Sequence, residues 1–67
     1  MIKARITELG GADYIFNPKE HDGIYDLMME ITDGDHEISS DAASWCELAC
    51  IGETYEFREG YIEIEEV

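Results

Sequence analysis

Sixty-seven residues and 7.6 kDa leave room for one small domain, so residues 1–67 are expected to fold as a single unit without a second core or a large enclosed active-site cavity. The chain sets 17 Asp and Glu against 4 Lys and Arg, a net charge of -13, yet 45% of it is hydrophobic and 10% aromatic, too apolar for a disordered acidic tail. Affinity for phosphate comes from Lys and Arg, so direct nucleic-acid binding is disfavoured and a cationic partner fits the charge instead. No uninterrupted apolar run reaches the ~18 residues of a membrane span. The opening Met-Ile-Lys-Ala-Arg leads into no apolar segment, so no signal peptide and a cytoplasmic location are expected.

Charge is uneven along the chain. Residues 1–19 hold Lys3, Arg5 and Lys19 against Glu8 and Asp13, a sum of +1, which leaves -14 for the rest. Ile2, Ala4 and Ile6 alternate with Lys3, Arg5 and Thr7, the period of a half-buried strand. Gly10-Gly11 is a turn signal, after which Tyr14-Ile15-Phe16 can pair back as a short second strand. Asn17 to Gly23, around Pro18, reads as a connection.

Residues 24–31 fit two templates. Ile24, Leu27, Met28 and Ile31 make a helical stripe, whereas Tyr25, Leu27, Met29 and Ile31 alternate as in a strand. The following Asp33-Gly34 is a favoured hairpin dipeptide, and a two-residue loop there would pair Ile31 with His36 and Met29 with Ile38. The hairpin is therefore the preferred expectation. Ser39-Ser40-Asp41 then offers N-caps for a helix over 41–51 that stops at Gly52. Its Ala42, Trp45, Cys46 and Ala49 lie on one side and Ser44 and Glu47 on the other, so it should pack across a sheet with Trp45 as anchor. A second hairpin closing on Glu59-Gly60 would pair Phe57 with Ile62 and Tyr55 with Ile64. The expected architecture is α+β: an antiparallel sheet of five or six strands with one helix, about residues 41–51, packed across one face.

These registers have a consequence for charge. Glu30 would fall opposite Glu37, and Glu56 opposite Glu63, both pairs on the outer face. Like charges so placed are destabilising, by analogy with the ~0.2–1 kcal/mol of favourable cross-strand pairs. Asp26, Glu30, Asp35, Glu37, Glu56, Glu63 and Glu65 would all project from the side away from the helix, with Tyr61 as an outward-facing anchor beside them. Such a face either solvates the sheet and protects its edges, or serves as a dedicated surface for a cationic partner.

Candidate chemistry is thin. Asp33, Asp35, Glu37, Ser39 and Asp41 alternate like the start of an EF-hand loop, but its sixth position is Ile38 and its twelfth Ser44, where calcium binding needs Gly and Glu. Cys46 and Cys50, four apart, with His36 or His21, make a weak zinc signal, and reduced core thiols are the better reading. A flat carboxylate face cannot split two pKa values for hydrolysis, and His21-Asp22 in a polar loop suggests no general base. No catalytic residue, cofactor or metal site is expected, and the chain is read as a non-enzyme. A domain this small, lacking disulfides, is expected to rely on an efficient core as a monomer or homodimer.

In size, charge and strand-rich shape with one helix, the chain resembles the small acidic DNA-mimic inhibitors of phages and mobile elements, anti-CRISPR proteins that block type I surveillance complexes among them. The matching positions are the acids Glu30, Glu37, Glu56, Glu63 and their neighbours, while Lys3 and Arg5 depart from a uniformly acidic surface. The resemblance implies a non-enzymatic inhibitor in the host cytoplasm. Its carboxylates would occupy the Arg and Lys side chains with which a basic nucleic-acid-binding protein, such as a CRISPR effector subunit, reads target DNA. The alternative is an acidic antitoxin-like or adaptor module that binds a basic partner without imitating DNA.

Overall fold

In a computed structural model describing residues 1–66, the chain runs β1 (Ile2–Glu8), β2 (Asp13–Phe16), α1 (His21–Ile31), α2 (His36–Leu48), β3 (Thr54–Phe57) and β4 (Gly60–Glu66). The strands form one antiparallel sheet in the order β2-β1-β4-β3, so the two seven-residue strands lie at its centre and the four-residue strands at its edges. Both helices cover the same face. The class is α+β as expected, with four strands and two helices where five or six strands and one helix were anticipated.

The first hairpin follows the sequence pattern. Ala4 pairs with Phe16 and Ile6 with Tyr14 on the inner face, while Arg5 pairs with Ile15 and Thr7 with Asp13 on the outer. Gly10 and Gly11 both take positive φ, and Glu8 N–H donates to the Ala12 carbonyl at 2.9 Å to close the loop.

Residues 24–31 are helical, which corrects the hairpin reading. Ile24 and Met28 are wholly buried, Tyr25, Leu27 and Ile31 half-buried, and Asp22, Asp26 and Glu30 exposed, so the 3.6-residue stripe prevails over the alternation. Asp33-Gly34 has the backbone that a hairpin would have used, with φ of 57° and 90°, but spends it on stopping α1. Gly34 N–H donates to Met29 C=O at 2.8 Å and Asp33 N–H to Glu30 C=O at 3.4 Å, the reciprocal pattern of a Schellman motif. Two positive-φ residues satisfy either motif, so the dipeptide could not separate them.

Helix α2 starts at His36, earlier than the expected 41, and ends at Leu48. Asp35 is its N-cap and accepts from Ile38 N–H at 3.0 Å, so Ser39-Ser40-Asp41 lies inside the helix. Its inward face is as anticipated: Ala42 and Cys46 are buried, Trp45 and Ala49 half-buried, Ser44 and Glu47 exposed. Ser39 is buried as well and donates its hydroxyl to the Asp35 carbonyl at 2.7 Å. Trp45 rests 5.5 Å from the Tyr55 ring, tying α2 to edge strand β3. Ala4, Ile6, Ile62 and Ile64 from the central strands close the core against Ile24, Met28, Ala42, Ala43 and Cys46. Each such large side chain contributes about 1.5–3 kcal/mol by leaving water.

The second hairpin forms in a different register. Its loop is Arg58-Glu59, so Phe57 pairs with Gly60, Glu56 with Tyr61, Tyr55 with Ile62 and Thr54 with Glu63. Gly60 is needed in the strand, because a Cβ there would lie 2.0 Å from the carbonyl oxygen of Thr7 on β1. The shift is an even one of two residues, so the apolar side chains keep their face while every cross-strand partner changes.

Candidate carboxylate surface

The structure divides the acids that the sequence had placed on one sheet face. Glu56, Glu63 and Glu65 are on the outer sheet face, with Tyr61 beside them and 36% exposed. Asp26, Glu30, Asp35 and Glu37 belong to the helical layer on the opposite side. Neither expected like-charge pair forms. Glu30 and Glu37 sit on separate helices, and Glu56 faces Tyr61 while Glu63 lies between Thr54 and Arg5.

The outer sheet face is of mixed sign. On β1, Lys3 stands opposite Glu65, Arg5 opposite Glu63 and Thr7 opposite Tyr61. Arg5 grips Glu65 Oε1 with Nε at 2.8 Å and Nη2 at 2.7 Å, and reaches Asp13 Oδ2 with Nη1 at 3.4 Å. The hydrogen bond that Arg5 donates to Glu65, and then the charge of Glu65, raise the guanidinium pKa further, so this cation is permanent. The opposite-charge pairs remove the electrostatic conflict that the hairpin registers had implied.

The helical layer has no such compensation. Every Lys and Arg lies outside residues 20–57, whereas Asp or Glu occurs at 20, 22, 26, 30, 33, 35, 37, 41, 47, 53 and 56. On α1, Asp22, Asp26 and Glu30 recur every fourth residue, a stripe of carboxylates spaced about 6 Å along the axis. Among the described residues, the side-chain carboxylates of Asp26 and Glu30 make no hydrogen bond or ion pair. Glu37 is likewise free on α2. Asp35 and Asp41 are engaged within the fold, one capping α2 and the other accepting the Tyr55 hydroxyl at 3.1 Å. Burial, followed by that bond to Asp41, raises the Tyr55 pKa.

The remaining reactive groups are dispersed. Burial pushes the Cys46 thiol up to about 11, which suppresses its thiolate, while Cys50 is exposed in the loop after α2. His21 Nδ1 lies 3.7 Å from Asp22 Oδ1 at the exposed start of α1. Among the described residues, no three His, Cys, Asp or Glu side chains are grouped to hold a metal ion. The EF-hand-like positions instead form the turn and first coils of α2, with Ser39 buried. Sequence reasoning missed two features. The Tyr25 hydroxyl bonds the His36 imidazole and their rings meet edge-on at 5.5 Å, a link between the helices that depends on α1 being helical. An open cleft of about 410 Å³ also forms between the start of β1, the loop of residues 17–19 and the end of α2.

The fold and surface define a small two-layer α+β protein whose helical side carries uncompensated negative charge. No family model, curated protein or solved structure matches the chain. No helix among the described residues is long and apolar enough to cross a membrane.

Proposed function

We propose that the protein is a non-enzymatic inhibitor whose carboxylates stand in for DNA phosphates at a basic nucleic-acid-binding site in the cytoplasm. The partner put forward is a type I CRISPR surveillance complex, whose Arg and Lys side chains read target DNA. The observation that carries the reading is the pair of free carboxylates Asp26 and Glu30 on α1, within a helical layer devoid of Lys and Arg. Carboxylates about 6 Å apart present charge on a scale that a groove built for phosphates can engage by charge-assisted hydrogen bonds. Duplex DNA carries roughly one charge per 1.7 Å of axis, so several acids from both helices must act together. Association would be electrostatically steered and would weaken as salt rises.

The helical face, not the sheet face, is the better surface for this role. Lys3 and Arg5 already occupy the middle of the sheet face, and Glu65 is committed to Arg5. The second reading is an antitoxin-like or adaptor module that neutralises a basic partner without imitating DNA. It is favoured by the internal use of Asp35 and Asp41, which interrupts the charge array on α2.

The test is displacement of target DNA from purified type I surveillance complex at physiological salt. The native protein should release DNA, Asp26→Lys with Glu30→Lys should abolish release, and Glu56→Lys with Glu63→Lys should weaken it less. Both double variants alter exposed or half-buried surface residues, so circular dichroism can confirm their folds. DNA binding that the native protein leaves unchanged at saturation would sink the mimic and favour the adaptor.

A further inference from the structure

The sheet ends in a four-residue strand at each edge, and β3 leaves its outer main-chain groups unpaired. Ile64 N–H donates to Glu53 C=O at 3.1 Å, and Tyr55 and Phe57, in step with Glu53, face Ile62 and Gly60 across the hairpin. Main-chain bonding alternates along an antiparallel strand, so residues 53, 55 and 57 bond β4 while the N–H and C=O groups of Thr54 and Glu56 point away from the sheet. None of these groups has a partner among the described residues. An exposed row of this kind is a template for an added strand.

The surroundings of the edge select the sign of that strand. Glu56 is exposed on β3 itself, and Glu53 precedes it. On the helical side Asp41 accepts the Tyr55 hydroxyl at 3.1 Å, and Asp35 lies near enough to act on the same hydroxyl electrostatically. Arg58, in the loop that closes the hairpin, is the cation set against them. A second copy is a poor occupant, since β3 against β3 would bring the same carboxylates together between chains of net charge -13. A basic strand is the complementary one. The opposite edge lacks this bias, because Arg5 reaches Asp13 on β2 at 3.4 Å and Lys19 follows that strand. Edge β3 also offers an aromatic contact on its inner side, where Trp45 and Phe57 stand 5.5 and 6.3 Å from the Tyr55 ring, all three half-buried.

We propose that an extended, Lys- or Arg-bearing segment of the partner adds to the sheet alongside β3. It would take the free main-chain bonds of Thr54 and Glu56, set its basic side chains by Glu56, and lay alternate apolar ones against Tyr55. The inference rests on the cationic-partner reading above and says how that partner is held. Charge guides encounter, while main-chain bonds and the aromatic contact slow dissociation.

The probes are the peptide Lys-Val-Lys-Val-Lys-Val-Lys and its fully N-methylated counterpart, which keeps the charge and loses the strand donors. Each is titrated into isotope-labelled protein at physiological salt and followed by NMR shifts and amide hydrogen exchange. The plain peptide should slow exchange of the Thr54 and Glu56 amides and bind about tenfold more tightly than the methylated one. Glu56→Pro, which removes an outward N–H at an edge position, should abolish that preference, whereas Glu56→Gln should keep it at lower affinity. Equal binding of both peptides with the Thr54 and Glu56 amides unprotected would overturn the edge site while leaving the cationic-partner reading in place. Protection confined to Asp13 and Ile15 would put the added strand on β2 and refute the proposal. Protection that appears on raising protein concentration alone would assign the edge to a second copy and refute it equally. Failure of both peptides to bind would overturn the edge site, and DNA displacement by the native protein tests the cationic-partner reading separately.

Discussion

Met28 and Met29 separate the helical packing of residues 24–31 from a strand packing by stability alone. In the helix Met28 is 0% exposed within the cluster of Ile6, Ile24, Ala43 and Ile64, while Met29 is half-buried; in a strand with the other parity Met29 would face the core. Truncating a fully buried Met to Ala costs about 2–5 kcal/mol, the lost transfer energy plus the cavity left behind. A domain of this size has a total stability on the order of 3–10 kcal/mol at 0.05–0.15 kcal/mol per residue. With a urea slope near 1 kcal/mol/M, Met28→Ala should lower the unfolding midpoint by roughly 2–5 M or leave the chain unfolded in buffer. Met29→Ala should cost about 1 kcal/mol or less, within the ordinary range for a partly exposed site. The assay is urea unfolding followed by Trp45 fluorescence, with an osmolyte such as TMAO added to recover a baseline if the Met28 variant is unfolded. A loss from Met29→Ala equal to or larger than that from Met28→Ala would refute the packing.

Three further outcomes follow from the same structure. Gly60→Ala puts a methyl 2.0 Å from the Thr7 carbonyl oxygen, where backbone must give way, so it should destabilise by about 1–3 kcal/mol or more; a urea midpoint equal to the native one would show that β4 does not approach β1 in this way. Asp35→Ala removes the α2 cap and should cost about 0.5–2 kcal/mol, with Asp35→Asn or Asp35→Ser retaining most of it in thermal melts. Burial raises the Cys46 pKa from 9.0 to about 11, so its neutral form stabilises the fold fully below pH 9, and this contribution is lost as pH rises through 11. Stability measured across that window should fall less steeply in Cys46→Ala, and a thiol reagent at pH 8 should modify Cys50 rapidly while Cys46 reacts only on unfolding.

Where one periodicity dominated, local sequence was sufficient. Ile2, Ala4 and Ile6 alternate cleanly, Gly10-Gly11 permits the positive-φ turn, and the inner face of α2 follows from Ala42, Trp45, Cys46 and Ala49. A net charge of -13 and a single small α+β core were also legible, because burial and charge balance depend on composition before they depend on arrangement. The segment 24–31 satisfied two periods at once, and Asp33-Gly34 suited both a hairpin and a Schellman stop. Packing decided between them, since helical α1 buries Ile24 and Met28 beside the small Ala42 and Ala43 of α2. Gly60 likewise reads as a turn residue until the Thr7 backbone of a distant strand lies against it. These two choices distributed the acids: the helix carried Asp26 and Glu30 away from the sheet, and the shifted register set Glu56 opposite Tyr61. The charge of the chain was therefore a property of its sequence, but the face presenting it without a counter-ion was determined by contacts between residues far apart along the chain.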